Sequence, residues 1–153
     1  MKNYILISLL ITCLSACSSR ENNSQPVTTG TGITDITMND TVVNPNDSGV
    51  IYLHPVNGLV TEKIRKQPRQ AIYLQFESQG FTKLNAHIIP EDSTANVRFS
   101  QLMMPDESGD GPFGREITYN LSRDGTYTLS VMESLMQGDP WGGVFTLRLE
   151  LSR

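Results

Sequence analysis

Cys17 is the thiol this chain sets up for a reaction. Lys2 supplies a positive start, Ile5 to Leu14 forms an apolar run broken by Ser8, Thr12 and Cys13, and small residues at Ser15 and Ala16 lead into the cysteine. That is the plan of a secretory signal, and the run is too short to span a bilayer as a mature helix. A second candidate lies at Asp106, Ser108 and Asp110, which occupy positions 1, 3 and 5 of a calcium-loop pattern with Gly111 at the sharp bend. The pattern wants a bidentate acid at position 12, where Ile117 stands with Glu116 one residue short, so an acidic surface turn is the alternative. The histidines, His54 and His87, are far apart in sequence, and no Gly-x-Ser-x-Gly, His-Glu-x-x-His or phosphate loop occurs. No nucleophile–base set can be assembled, so an enzyme is not expected, and no cofactor is expected unless the Asp106 loop takes calcium.

Leu14-Ser15-Ala16-Cys17 resembles the lipobox of bacterial lipoproteins. That resemblance implies a signal peptide over residues 1–16, diacylglycerol on the Cys17 thiol, and acylation of the new amine. Two or more acyl chains hold a protein stably on a membrane where one does not. Ser18, a non-Asp residue after the cysteine, implies sorting to the bacterial outer membrane, with the domain in the periplasm or at the cell surface. Cys13 leaves with the signal and Cys17 carries lipid. The mature chain therefore has no thiol for a disulfide, and the core alone must stabilise it.

The formal net charge is −4. This argues against nucleic acid, whose phosphates call for a basic patch. Residues 17–48 are rich in Ser, Thr, Asn, Gly and Pro, and their few apolar residues show no sustained period. Such a segment reads as a disordered tether with an r.m.s. reach of roughly 30 Å. The alternative is that Ile33 to Val43 adds an edge strand to the domain.

From Gly49 onward the apolar period is two. Ile72, Leu74 and Phe76 share one strand face, as do Leu84, Ala86 and Ile88, then Val97 and Phe99, and then Ile117, Tyr119 and Leu121. Tyr127, Leu129 and Val131 follow, and Phe145, Leu147, Leu149 and Leu151 give the clearest alternation in the chain. No helical stripe appears. Short strands separated by Gly, Pro, Asp and Asn clusters predict one all-β domain over residues 49–153, an antiparallel sandwich or barrel of about seven or eight strands. Lys63, Arg65, Lys66 and Arg69 read as a solvated basic face, and Met103, Met104, Met132 and Met136 as fillers of core gaps.

The run Ile117 to Leu121, then Asp124-Gly125-Thr126-Tyr127 and Leu129 to Val131, a loop, and Val144 to Leu149 resembles the end of the pre-peptidase C-terminal (PPC-like) jelly-roll sandwich. It also resembles the periplasmic inhibitors of g-type lysozyme, small all-β proteins with a Ser-Gly-x-Tyr loop in that place. The resemblance covers residues 70–153 and implies that this loop enters an enzyme cleft. This chain departs from the motif with Asp124 where the serine would sit. The competing reading makes Gly125 a turn glycine and Tyr127 a tyrosine corner.

Trp141 is the only tryptophan and stands in a Gly/Pro turn beside Asp139. It is either an exposed anchor for a partner or a lid on one end of the sandwich. The partner-binding candidates are thus Asp124, Gly125, Tyr127, Asp139 and Trp141. They leave two classes of function: a lipid-anchored protein-binding module, lysozyme-inhibitor-like, or a structural accessory lipoprotein of an envelope or secretion-system assembly.

Overall fold

The structure, a computed structural model, describes residues 41–153. The signal, Cys17 and most of the tether lie outside the described residues. Ten strands follow in order: β1 (Val42–Val43), β2 (Val50–Tyr52), β3 (Leu59–Lys66), β4 (Ile72–Glu77), β5 (Lys83–Pro90), β6 (Arg98–Met103), β7 (Gly109–Asp110), β8 (Glu116–Asn120), β9 (Thr126–Met132) and β10 (Gly143–Ser152). They form two five-stranded sheets, β1-β3-β10-β5-β8 and β2-β4-β9-β6-β7. No helix occurs among the described residues, and the expected sandwich is present.

Alternation explains the core. Phe145, Leu147, Leu149 and Leu151 of β10 and Leu84, Ala86 and Ile88 of β5 are buried, and they meet Ile72, Leu74, Phe76, Leu129 and Val131 from the other sheet in one apolar cluster. Each strand therefore gives one face to the core and the other to solvent, as period-two sequence requires.

Three details depart from the antiparallel frame read from sequence. Both sheets are mixed, because β1 pairs parallel with β3 and β2 parallel with β4. β1, Val42–Val43, falls within the span read as the tether and stands at the edge of its sheet; the rest of the Ile33 to Val43 alternative lies mostly outside the described residues. β3 is a full strand although its sequence, Leu-Val-Thr-Glu-Lys-Ile-Arg-Lys, scarcely alternates by hydropathy. Its Lys66 is turned inward and is 1% exposed, contrary to the solvated face expected of that basic run.

Strand direction sets the two ends of the sandwich. The Asp124 turn precedes β9 and the Trp141 loop follows it, so its seven residues separate them by about 20 Å. The sequence candidates therefore belong to opposite ends.

Candidate functional site

At the Asp124 end, the candidate residues are bound up in the structure. Tyr127 is 1% exposed, its ring stacked on Phe76 with centroids 5.8 Å apart. Its hydroxyl donates to the Arg123 carbonyl at 2.9 Å and accepts from the Arg123 amide at 3.3 Å. This is the tyrosine corner, and a ring so buried offers no surface to a partner. Gly125 sits at φ +138°, where a side chain would be strained and a Cβ would meet Pro105 at 3.0 Å. The Asp124 carboxylate accepts from the Ser78 hydroxyl at 2.6 Å and from the Gly80 amide at 2.8 Å. Those two hydrogen bonds, the Ser78 one foremost, hold its pKa below the usual carboxylate value. Asp124 thus ties two turns together while staying at the surface, and Tyr127 takes the tyrosine-corner role of the competing reading.

The calcium candidates do not converge. Asp106 accepts from both the amide and the hydroxyl of Ser108, and its second oxygen lies 3.1 Å from the Arg123 guanidinium. Asp110 accepts from the Gly111 amide at 2.7 Å. Glu116 lies in the opposite sheet, 3.7 Å from His87, with which it is in register. Among the described residues no group of three or more acids, histidines or cysteines could hold a metal ion. The acidic-turn alternative fits these residues. Ser108 is a donor here, and the Asp106 charge is already balanced by Arg123.

The other end is organised around residues 133–142, between β9 and β10. Glu133 is buried and pairs with Lys66 at 2.6 Å, their side chains 3% and 0% exposed. Burial pushes the Glu133 carboxyl up, but hydrogen bonds from Lys66 and from the Arg69 amide outweigh it, so its pKa lies below the ordinary value. Lys66 Nζ also donates to the Trp141 carbonyl at 3.2 Å and to the Gln67 carbonyl at 3.0 Å. One buried cation therefore fixes both feet of the loop. Asn96 adds a second clamp: its amide group donates to the Ser134 carbonyl at 3.0 Å and the Asp139 carbonyl at 3.2 Å, and its oxygen accepts from the Ser134 amide at 3.0 Å.

Trp141 closes this clamp. It is partly buried against the core, and a Cβ on Gly143 would lie only 2.5 Å from its ring. The glycine is what allows the indole to lie so close to the backbone, the placement the lid alternative expects. Asp139 remains exposed and contributes its carbonyl to the Asn96 clamp.

What the loop presents is its tip. The Gln137 amide donates to the Ser134 carbonyl at 3.1 Å, closing a turn with Leu135 and Met136 at its corners. Turn corners favour Gly, Pro, Asn, Asp and Ser. Here they carry two large apolar side chains, 82% and 97% exposed. The other large exposed apolar residues among those described (Tyr52, Val56, Tyr73 and Ile89) stand on other strands and turns, and single ones of that kind are ordinary. Leu135 and Met136 are adjacent, at the apex of a loop clamped at both feet. The reading of Met136 as a core filler is corrected. A signal was available, since Leu135-Met136 interrupts the period of two just before a Gly/Pro cluster.

The fold has known counterparts. PliG of Aeromonas hydrophila, a periplasmic inhibitor of g-type lysozyme, is similar in structure with a TM-score of 0.55 at 11% identity, over 73% of this chain and 100% of that one. PliG of Salmonella Typhimurium, of the same description, gives 0.43 at 11% identity over 67% and 98%. No family model and no curated protein matches the sequence. At such identity the likeness speaks to the fold alone.

Proposed function

We propose that this chain is a protein-binding module of the lysozyme-inhibitor type, held by lipid on Cys17 at the outer membrane with its sandwich in the periplasm or at the surface. The observation that carries the binding role is the clamped turn presenting Leu135 and Met136. A preorganised convex loop with an apolar apex loses little entropy on binding, and two desolvated side chains can supply the hot spot of an interface. The shared fold with A. hydrophila PliG supports lysozyme as the partner to try first. The lipobox residues support the anchor. The loop through which this chain would act is then the one at Leu135, rather than the turn at Asp124 implied by the sequence resemblance.

Two assays test the reading. The full chain, titrated into g-, c- and i-type lysozymes acting on peptidoglycan, is expected to inhibit the g-type enzyme. A folded chain that inhibits none of them would overturn the lysozyme assignment in favour of an accessory lipoprotein of an envelope or secretion-system assembly. Separately, Cys17→Ser is expected to abolish lipid labelling and release the protein from membranes. Continued pelleting after a high-salt wash would contradict the anchor.

A further inference from the structure

Beside the Leu135–Met136 turn lies an open groove of about 420 Å³, lined by Arg98, Arg115, Asn96, Thr94, Phe113 and Gln137. Gln137 belongs to the closing end of the turn itself, so groove and tip adjoin. Two guanidiniums line this groove, and that of Arg98 has no ion-pair partner among the described residues. Arg98 opens β6 on the outer face, in register with Met132, and its Nε is shut from water with no hydrogen-bond partner among the described residues. No carboxylate pairs with its guanidinium among those residues. Arg115 turns Nη2 to the carbonyls of Ser93 and Ala95, which fixes its position without neutralising it. The nearby acid, Asp92, accepts from the Thr94 amide and hydroxyl at 2.8 and 2.7 Å, and the Arg115 charge adds a lesser pull that also lowers its pKa.

A cation with a buried, unpaired donor is unusual in a native protein, because such groups ordinarily find a partner. Two guanidiniums on one groove suit a planar anion, whose oxygens can accept from the forks of both. The remaining lining favours a carboxylate on a carbon stem, since Phe113 offers apolar wall to methylenes and Asn96 and Gln137 offer amides. We propose that this groove is a carboxylate-binding notch, which receives an acidic side chain of the partner protein while Leu135 and Met136 enter an apolar recess next to it. The inference rests on the reading of the domain as a protein-binding module. It specifies the partner's chemistry as an acid beside an apolar hollow.

The notch is tested without the partner. The ¹⁵N-labelled full chain is titrated with N-acetylglutamate, with N-acetylglutamine as the neutral isostere and inorganic phosphate as the competing anion, following the arginine Nε–Hε resonances. Saturable movement of the Arg98 and Arg115 signals with N-acetylglutamate and none with N-acetylglutamine is the expected result. Arg98→Gln, which removes no contact that holds the fold, weakens the response at least fivefold, and Arg115→Gln does the same if loop 93–95 stays in place. No saturable shift, or an equal shift with the neutral isostere, overturns the proposal. So does phosphate binding tenfold tighter than the carboxylate. Absence of lysozyme inhibition would count against the proposed function and leave this titration valid.

Discussion

The two ends of the sandwich use similar residue types for opposite purposes. At the Asp124 end, polar side chains bind one turn to the next: Asp124 to Ser78 and Gly80, Arg123 to Asp106, and the Tyr127 hydroxyl to the chain four residues back. Its aromatic ring is inside. At the Trp141 end, buried polar groups hold only the feet of a loop, through Lys66–Glu133 and Asn96, and the apex is left apolar and free. A turn whose polar groups are satisfied internally has little left to offer a partner. A loop fixed at its base and apolar at its tip suits the contact proposed for it, and its fixing residues belong to the fold.

The largest expected effect is at the base of that loop. Glu133→Ala leaves the Lys66 ammonium buried without its partner, which is expected to cost about 3–5 kcal/mol. Chemical denaturation of the full chain measures it. Replacing both residues, as Lys66→Met with Glu133→Leu, should recover much of the loss, because the isolated charge is then gone. A double variant no more stable than the single one would show that the pair's role is shape rather than charge compensation.

At the other end, Tyr127→Ala should cost roughly 3–5 kcal/mol as a core cavity, and Tyr127→Phe about 1 kcal/mol for the hydroxyl alone. These changes should alter partner affinity only so far as they unfold the domain. Weaker binding by a Tyr127→Phe variant with unchanged melting would return the function to that end.

Acid provides a smaller and more diagnostic effect. The folded-state pKa of Glu133 is depressed, so its contribution to stability is full above the unfolded value, near 4.5, and is lost as pH falls through the lower folded value. Asp124 acts in the same direction. Melting temperature should therefore decline below about pH 4.5. Glu133→Gln should flatten that decline more than Asp124→Asn, since Asp124 is at the surface and Glu133 is buried. Equal slopes in both variants would remove the distinction between a buried clamp and a surface brace.

Much of the fold was legible in the sequence because period two is a direct record of a half-buried strand. β4, β5, β9 and β10 all show it. β3 was not legible, since its inward Lys66 is made tolerable chiefly by Glu133, 67 positions further along the chain, with the Trp141 and Gln67 carbonyls, and a basic run carries no mark of such distant partners. The parallel edges β1 and β2 are two and three residues long, too short to carry a period. The proposed site was half legible. The sequence pointed to the loop of Asp139 and Trp141 but named the lid rather than the tip, because tryptophan is the residue most enriched in hot spots and nothing local shows that Gly143 leaves room for its ring. Tyr127 left two readings open for the converse reason. A Gly-x-Tyr turn is equally consistent with a binding loop and a tyrosine corner until the hydroxyl's partner is seen.

The most direct measurement pairs stability with binding in the variant Leu135→Asp/Met136→Asp. Both side chains project into solvent, so the melting temperature of the full chain should stay near wild type, with a change within about 0.5 kcal/mol per site. Affinity for g-type lysozyme should fall by about 2 kcal/mol or more, roughly thirtyfold, in the same preparation. Undiminished inhibition by the stable double variant would contradict the central claim that the clamped, apolar-tipped loop is the working surface of this protein.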